Sequence, residues 1–139
     1  MKRIELRTEY QREQFEYVDS LMDSYMRGYY KELDDKLMEI DMGFFYRALL
    51  EHVKFNITGQ PFISNVNNVS FYLYREYLKK TCYFYGMKSI SDEQIENKIY
   101  ILCDLGLINK TGDDIYELVD PAPLVIKEAT KKIKNIFLI

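Results

Sequence analysis

Residues 91–118 constrain this 139-residue chain more than any other stretch. Ser91 with Gln94 three residues later reads as a helix-starting capping box. Asp92 and Glu93 fall in the first turn, where the helix dipole favours acids. Ile95, Ile99 and Leu102 then recur on one helical face, and Gly106 closes the helix in a left-handed cap. Leu107 and Ile108 re-enter the interior as a strand. A polar tip follows at Lys110–Asp114, and residues 115–119 alternate as a return strand. A helix that runs through glycine straight into a β-hairpin leaves few architectures open.

The rest of the chain reads as mainly helical. In residues 1–35, Phe15, Val18, Leu21, Met22, Tyr25, Met26, Tyr29 and Tyr30 follow three- and four-residue steps, with Gly28 as a bend and Glu13, Glu16, Asp19 and Asp23 on a solvated face. A second helix is expected from Asp41 to Phe55, burying Phe44, Phe45, Leu49, Leu50 and Val53. Gly59 and Pro61 interrupt the pattern, and residues 62–64 are a short strand candidate. Asn67 or Asn68 then caps a third helix expected over 69–86, with Phe71, Tyr74, Leu78 and Cys82 on its apolar side and Gly86 as its stop. Helical spacing scatters Tyr72, Tyr74, Tyr77, Tyr83 and Tyr85 around that helix, so packing of their rings is expected in place of a stacking platform. Pro121 and Pro123 reset the chain before a basic amphipathic helix over 124–139, whose apolar positions include Leu124, Ala129, Ile133, Ile136 and Phe137. Such a terminal helix is expected to bury its apolar side on its own domain or on a twin, which makes a homodimer the expected state.

Composition narrows the chemistry. With 15% aromatic residues the chain is too rich in core formers for disorder. No apolar run approaches the ~20 residues of a membrane span, and the charged start of the chain has no secretory h-region, so a cytoplasmic protein without membrane contact is expected. Cys82, Cys103 and the single histidine, His52, are together one ligand short of a structural zinc site. His52 sits in an apolar helical stretch, as a partly buried hydrogen-bonded histidine does, and both cysteines read as small core residues. P-loop, dinucleotide-binding, zincin and nucleophile-elbow motifs do not occur, so neither an enzyme nor a cofactor is expected.

The order from residue 41 onward, and above all residues 94–119 with Ile95, Ile99, Leu102, Gly106, Leu107, Ile108, Tyr116 and Leu118, resembles the third helix and wing of winged helix-turn-helix proteins. The resemblance covers about residues 41–120. It implies a mainly α (α+β) fold: a helical N-terminal extension over 1–40, a winged-helix domain over 41–120 and a C-terminal helix over 121–139. Residues 29–53 also look faintly like the N-terminal regions of plasmid replication initiators and phage replisome organisers, which implies a mobile-element origin.

In DNA-binding members the third helix enters the major groove and the wing touches backbone. Carried onto this chain, the DNA-binding candidates are Arg75, Lys79, Lys80, Lys88, Ser91, Gln94, Asn97, Lys98, Lys110 and Thr111, in a regulatory or replication role on double-stranded DNA. Gln94 and Asn97 suit adenine edges. Against this stands the charge map, because residues 87–120 hold three basic and eight acidic side chains, and DNA affinity rests on cations that neutralise phosphates. The alternative is a protein-binding winged helix, an inhibitor or adaptor that docks a basic partner through Asp92, Glu93, Glu96, Tyr100, Asp113 and Asp114.

Overall fold

The computed structural model describes residues 9–62 and 67–136. Among them are six helices and one three-stranded antiparallel sheet, in the order α1 (Glu9–Met26), α2 (Lys31–Glu39), α3 (Gly43–Lys54), β1 (Val69–Tyr72), α4 (Arg75–Phe84), α5 (Asp92–Asp104), β2 (Ile108–Gly112), β3 (Ile115–Leu118), α6 (Pro123–Ile136). The sheet order is β1-β3-β2, with Val69 opposite Leu118 and Tyr72 opposite Ile115 on one side of β3, and Ile108 opposite Leu118 on the other. Helix, strand, helix, helix and hairpin, with the first strand closing against the hairpin, is the layout of a winged helix-turn-helix. A helical extension precedes it and a helix follows.

Four of the helices end in the same way. After α1, α2, α4 and α5 the chain passes through a left-handed residue, Gly28, Asp41, Gly86 or Gly106. The next amide bonds back across the last turn, as Met42 does to Leu37, Met87 to Cys82 and Leu107 to Leu102. These are Schellman closures. Of these four residues, Asp41 alone adopts the strained backbone without being glycine, at φ 59°. The start of α5 is as expected: Ser91 Oγ accepts from Gln94 N at 3.1 Å, and Gln94 Oε1 accepts from Ser91 N at 2.8 Å.

One core runs through the winged helix and its extension. Leu33 and Leu37 of α2, Phe45, Tyr46, Leu49 and Leu50 of α3, Phe71 of β1, Leu78 of α4 and Ile95 and Leu102 of α5 are all fully buried. Val18, Leu21 and Tyr25 of α1 belong to the same cluster, and α1 and α2 both pack on α3. The Tyr17 hydroxyl donates to Asp120 in the link between β3 and α6. Burial and that carboxylate together push the Tyr17 phenol well above its usual range. Helix α6 packs on α2 through Ala129, Thr130 and Ile133, with Leu124 and Ile136 left exposed. Phe137 lies outside the described residues, as do residues 63–66.

The third helix departs from its expected extent. Residues 69–72 form strand β1, and α4 begins only at Arg75. Val69 and Phe71 are buried while Tyr72 is exposed, the two-residue alternation of a strand. Neither asparagine caps a helix: Asn68 Oδ1 accepts from Asp120 N at 2.8 Å, and the residue before α4 is Tyr74. Phe62 is in no strand. β1 also meets the chain after α3, where Ile57 bridges Phe71, Tyr72 N donates to Asn56 O and Thr58 N donates to Ser70 O.

Candidate nucleic-acid interface

Helix α5 packs on α4 and β2, whereas α1, α2 and α6 gather around α3 and α2. Helix α6 reaches α5 at its C-terminal end, where Lys132 donates to Asp104 O at 2.8 Å. Glu93, Asn97 and Tyr100 of α5 are exposed, Tyr100 by 71%. The wing follows directly. β2 and β3 meet at Asp113 and Asp114, and Asp114 takes a left-handed backbone, φ 56°. The wing tip is tied to the junction of β1 and α4 by Leu73 N donating to Asp114 O at 2.8 Å.

The basic residues nominated from the sequence separate into three groups. Arg75 and Lys79 face α5 and are engaged by its acids. The Arg75 guanidinium donates to the Glu96 carboxylate and, at 2.6 Å, to Asp114 Oδ1. One side chain therefore latches α4, α5 and the wing tip together. The bond to Glu96 first and that to Asp114 second hold its pKa above the ordinary arginine value. Lys79 pairs with Asp92 and lies 3.4 Å from Glu76. Its ammonium is likewise held in the charged form, chiefly by Asp92. Lys98 turns away from solvent, donating to Asp41 O at 2.8 Å and bracing α5 against the α2–α3 turn.

Lys88, before α5, and Lys110, on β2, form the second group: exposed and without an ion-pair partner among the described residues. Lys80 alone makes the third. It lies on the other side of α4, with its ammonium 5.8 Å from the centre of the Tyr77 ring, and does not join the α5 face.

The polar candidates are partly committed. The hydroxyl of Ser91 and the amide oxygen of Gln94 are spent on the capping box, so Gln94 is not free for a bidentate base contact. Thr111 Oγ1 donates to Ile115 O within the wing. Asn97 is exposed near the middle of α5. Of the acids nominated for a protein partner, Asp92, Glu96 and Asp114 are paired internally, and Glu93 and Asp113 are exposed with no ion-pair partner among the described residues.

The geometry softens the charge map without balancing it. Arg75 and Lys79 lie outside residues 87–120 in sequence but contact three of that segment's acids in space, Glu96, Asp114 and Asp92, and their two positive charges offset two of the negative ones. With these two cations added, the segment's eight acidic side chains stand against five basic ones.

Sequence reasoning missed the exposed aromatics beside this face. Tyr72, Tyr74 and Tyr77 are exposed and contact one another in series, contrary to the packed rings expected from a single long helix. The signal was present in their spacing, since Tyr72 and Tyr74 are two apart and two-residue spacing puts side chains on one side of extended backbone.

His52 is buried as expected, 2% exposed, and lies under this aromatic patch. Its Nε2 is 3.2 Å from Tyr72 O and 3.3 Å from Tyr74 N, so one tautomer donates to the former and the other accepts from the latter. Burial lowers its pKa to about 4, against a smaller upward pull from the Tyr72 carbonyl. Cys82 is buried, which pushes its thiol up to about 11, and Cys103 is half-buried with a thiol raised mainly by burial. Neither is an activated thiolate. No helix among the described residues is long and apolar enough to cross a membrane. Compared with protein-family models, with curated proteins and with solved structures, the chain finds no significant match.

Proposed function

We propose that this chain is a non-enzymatic winged-helix module that binds double-stranded DNA through α5 and the wing, in the cytoplasm and in a regulatory or replication role on a mobile element. The observation that carries the reading is the open α5–wing face, latched by Arg75 and relieved of two negative charges by Arg75 and Lys79, which contact three of its acids. Lys88 and Lys110, exposed and without an ion-pair partner among the described residues, supply its cations, and exposed Asn97 is of the residue type that suits an adenine edge. Exposed ion pairs are worth little, ~0–1 kcal/mol each, so phosphate can compete for Arg75 and Lys79. Replacing Lys88 and Lys110 together by Glu should weaken duplex binding by at least tenfold at low salt without changing Tm. Unchanged affinity in that variant contradicts the reading.

A second reading, a basic protein partner docking on the same face, is favoured by Glu93 and Asp113, exposed with no ion-pair partner among the described residues, and by the exposed Tyr100 ring on the same helix as Glu93, tyrosine being a common anchor of interfaces. One variant separates the two. Glu93→Lys with Asp113→Lys raises duplex affinity if DNA is the ligand and removes binding if a basic protein is. As part of the proposal, the exposed Leu124 and Ile136 of α6 are the contact of a homodimer. Sedimentation of wild type and Leu124→Glu tests it, with dimer and monomer expected in turn.

A further inference from the structure

We propose that Tyr72, Tyr74 and Tyr77, with Lys80, form a second site that stacks the unpaired bases of single-stranded DNA beside the wing. Tyr72, Tyr74 and Tyr77 are 40%, 47% and 57% exposed. Their ring centres are 6.0 Å apart from Tyr72 to Tyr74, with the planes at 37°, and 5.8 Å from Tyr74 to Tyr77, with the planes at 73°. The three rings are thus not coplanar: a tilted pair is followed by an edge-to-face pair. Tyr74 and Tyr77, with Arg75 and Glu76, line a shallow depression that is open to solvent. On the far side of Tyr77 a second hollow of about 290 Å³ includes Lys80 and Phe55.

The chemistry of the patch selects the ligand. Exposed phenol rings offer stacking surface to any base, and a neighbouring cation meets the phosphate that travels with it. Lys80 is that cation, exposed and held 5.8 Å from the Tyr77 ring centre. Two acids border the patch: Glu76 lies 3.4 Å from the Lys79 ammonium, which it shares with Asp92, and Glu51, which lines the hollow with Lys80, accepts from the Tyr85 hydroxyl at 3.0 Å. Base faces are buried in a duplex and available only where strands are unpaired. The patch is also anchored from below, because Nε2 of buried His52 bonds the backbone at either Tyr72 O or Tyr74 N, and Leu73 between them is bonded to Asp114 of the wing. That bond makes the patch continuous with the α5–wing face. A strand leaving a duplex at the wing therefore passes onto the tyrosines. The choice of DNA over RNA rests on the duplex reading of α5, but the stacking does not.

The chain has thirteen tyrosines and no tryptophan, so its intrinsic emission reports tyrosine directly. Titration of the full chain with a short oligothymidine, which forms no duplex, should quench that emission and saturate. Tyr74→Ala and Tyr77→Ala should each weaken oligothymidine binding by roughly 5- to 150-fold, the span measured when one stacking ring is removed. Tyr77→Phe, which keeps the ring, should bind as wild type. All three side chains are exposed, and an unchanged Tm confirms folding. The double variant Lys88→Glu, Lys110→Glu should lose duplex binding and keep oligothymidine binding, so failure of one site is distinguishable from failure of the other. No quenching of wild type at low salt overturns the proposal. So does unchanged affinity in both alanine variants, or a patch whose alanine variants only turn a dimer into a monomer. Tighter binding of oligouridine than oligothymidine overturns the assignment to DNA.

Discussion

Two side chains organise this molecule out of proportion to their size. Arg75 touches a helix on one side and the wing tip on the other, Glu96 and Asp114. Replacing it with Gln should cost little stability, about 1 kcal/mol or less, because the pairs are exposed. It should nonetheless free the wing, and faster amide exchange around Asp113 and Asp114 than in wild type is the expected readout. His52 acts from below, neutral and bonded to the β1–α4 backbone. Its folded pKa of about 4 lies beneath the ordinary 6.5, so the unfolded chain takes up the proton first. The contribution of neutral His52 is therefore complete above pH 6.5 and is lost as pH falls from there towards 4. That loss amounts to roughly 2–3 kcal/mol. Urea unfolding at pH 7.5 and 4.5 should show it in wild type, and His52→Gln should lose less over the same interval. Equal losses in the two proteins contradict the assignment.

At the scale of elements, caps and closures were the most legible feature. Ser91, Gln94, Gly86 and Gly106 announce the turn between α4 and α5 and the step from α5 into the wing, because capping is short-range chemistry written in neighbouring residues. Gly106→Ala should cost ~1–2 kcal/mol, the penalty of a side chain at φ 80°, readable as a fall in Tm. A smaller effect would mean the closure relaxes. Strand β1 was not legible. Its four residues carry an apolar pattern that a helix shares, and what makes them a strand is pairing with Leu118, Tyr116 and Ile115 nearly fifty residues away. That single misplacement had a consequence for function. Read as one helix, the tyrosines scatter; with extended backbone through Tyr74 they gather on one side. The acid–base pairing was hidden for the same reason, since Arg75 and its partners are 21 and 39 residues apart in the chain.

For the whole molecule, the helices added before and after the winged helix share its core and leave Glu93, Asn97 and Tyr100 of α5, the wing tip and the tyrosine patch exposed. The formal net charge of −3 opposes DNA at long range, and the local ion pairing makes contact possible at short range. Binding should therefore be salt-sensitive but with a shallow slope. The central claim is tested most directly by fluorescence anisotropy of a random-sequence DNA duplex at ~50 mM and ~200 mM salt, because the slope of log affinity against log salt counts phosphate contacts. With Lys88 and Lys110 unpaired among the described residues and Arg75 and Lys79 exchangeable, the expected slope is about −2 to −4 at roughly 0.9 per contact, with binding in the micromolar range at the lower salt. No binding at the lower salt would contradict the account and leave the α5–wing face to a basic protein.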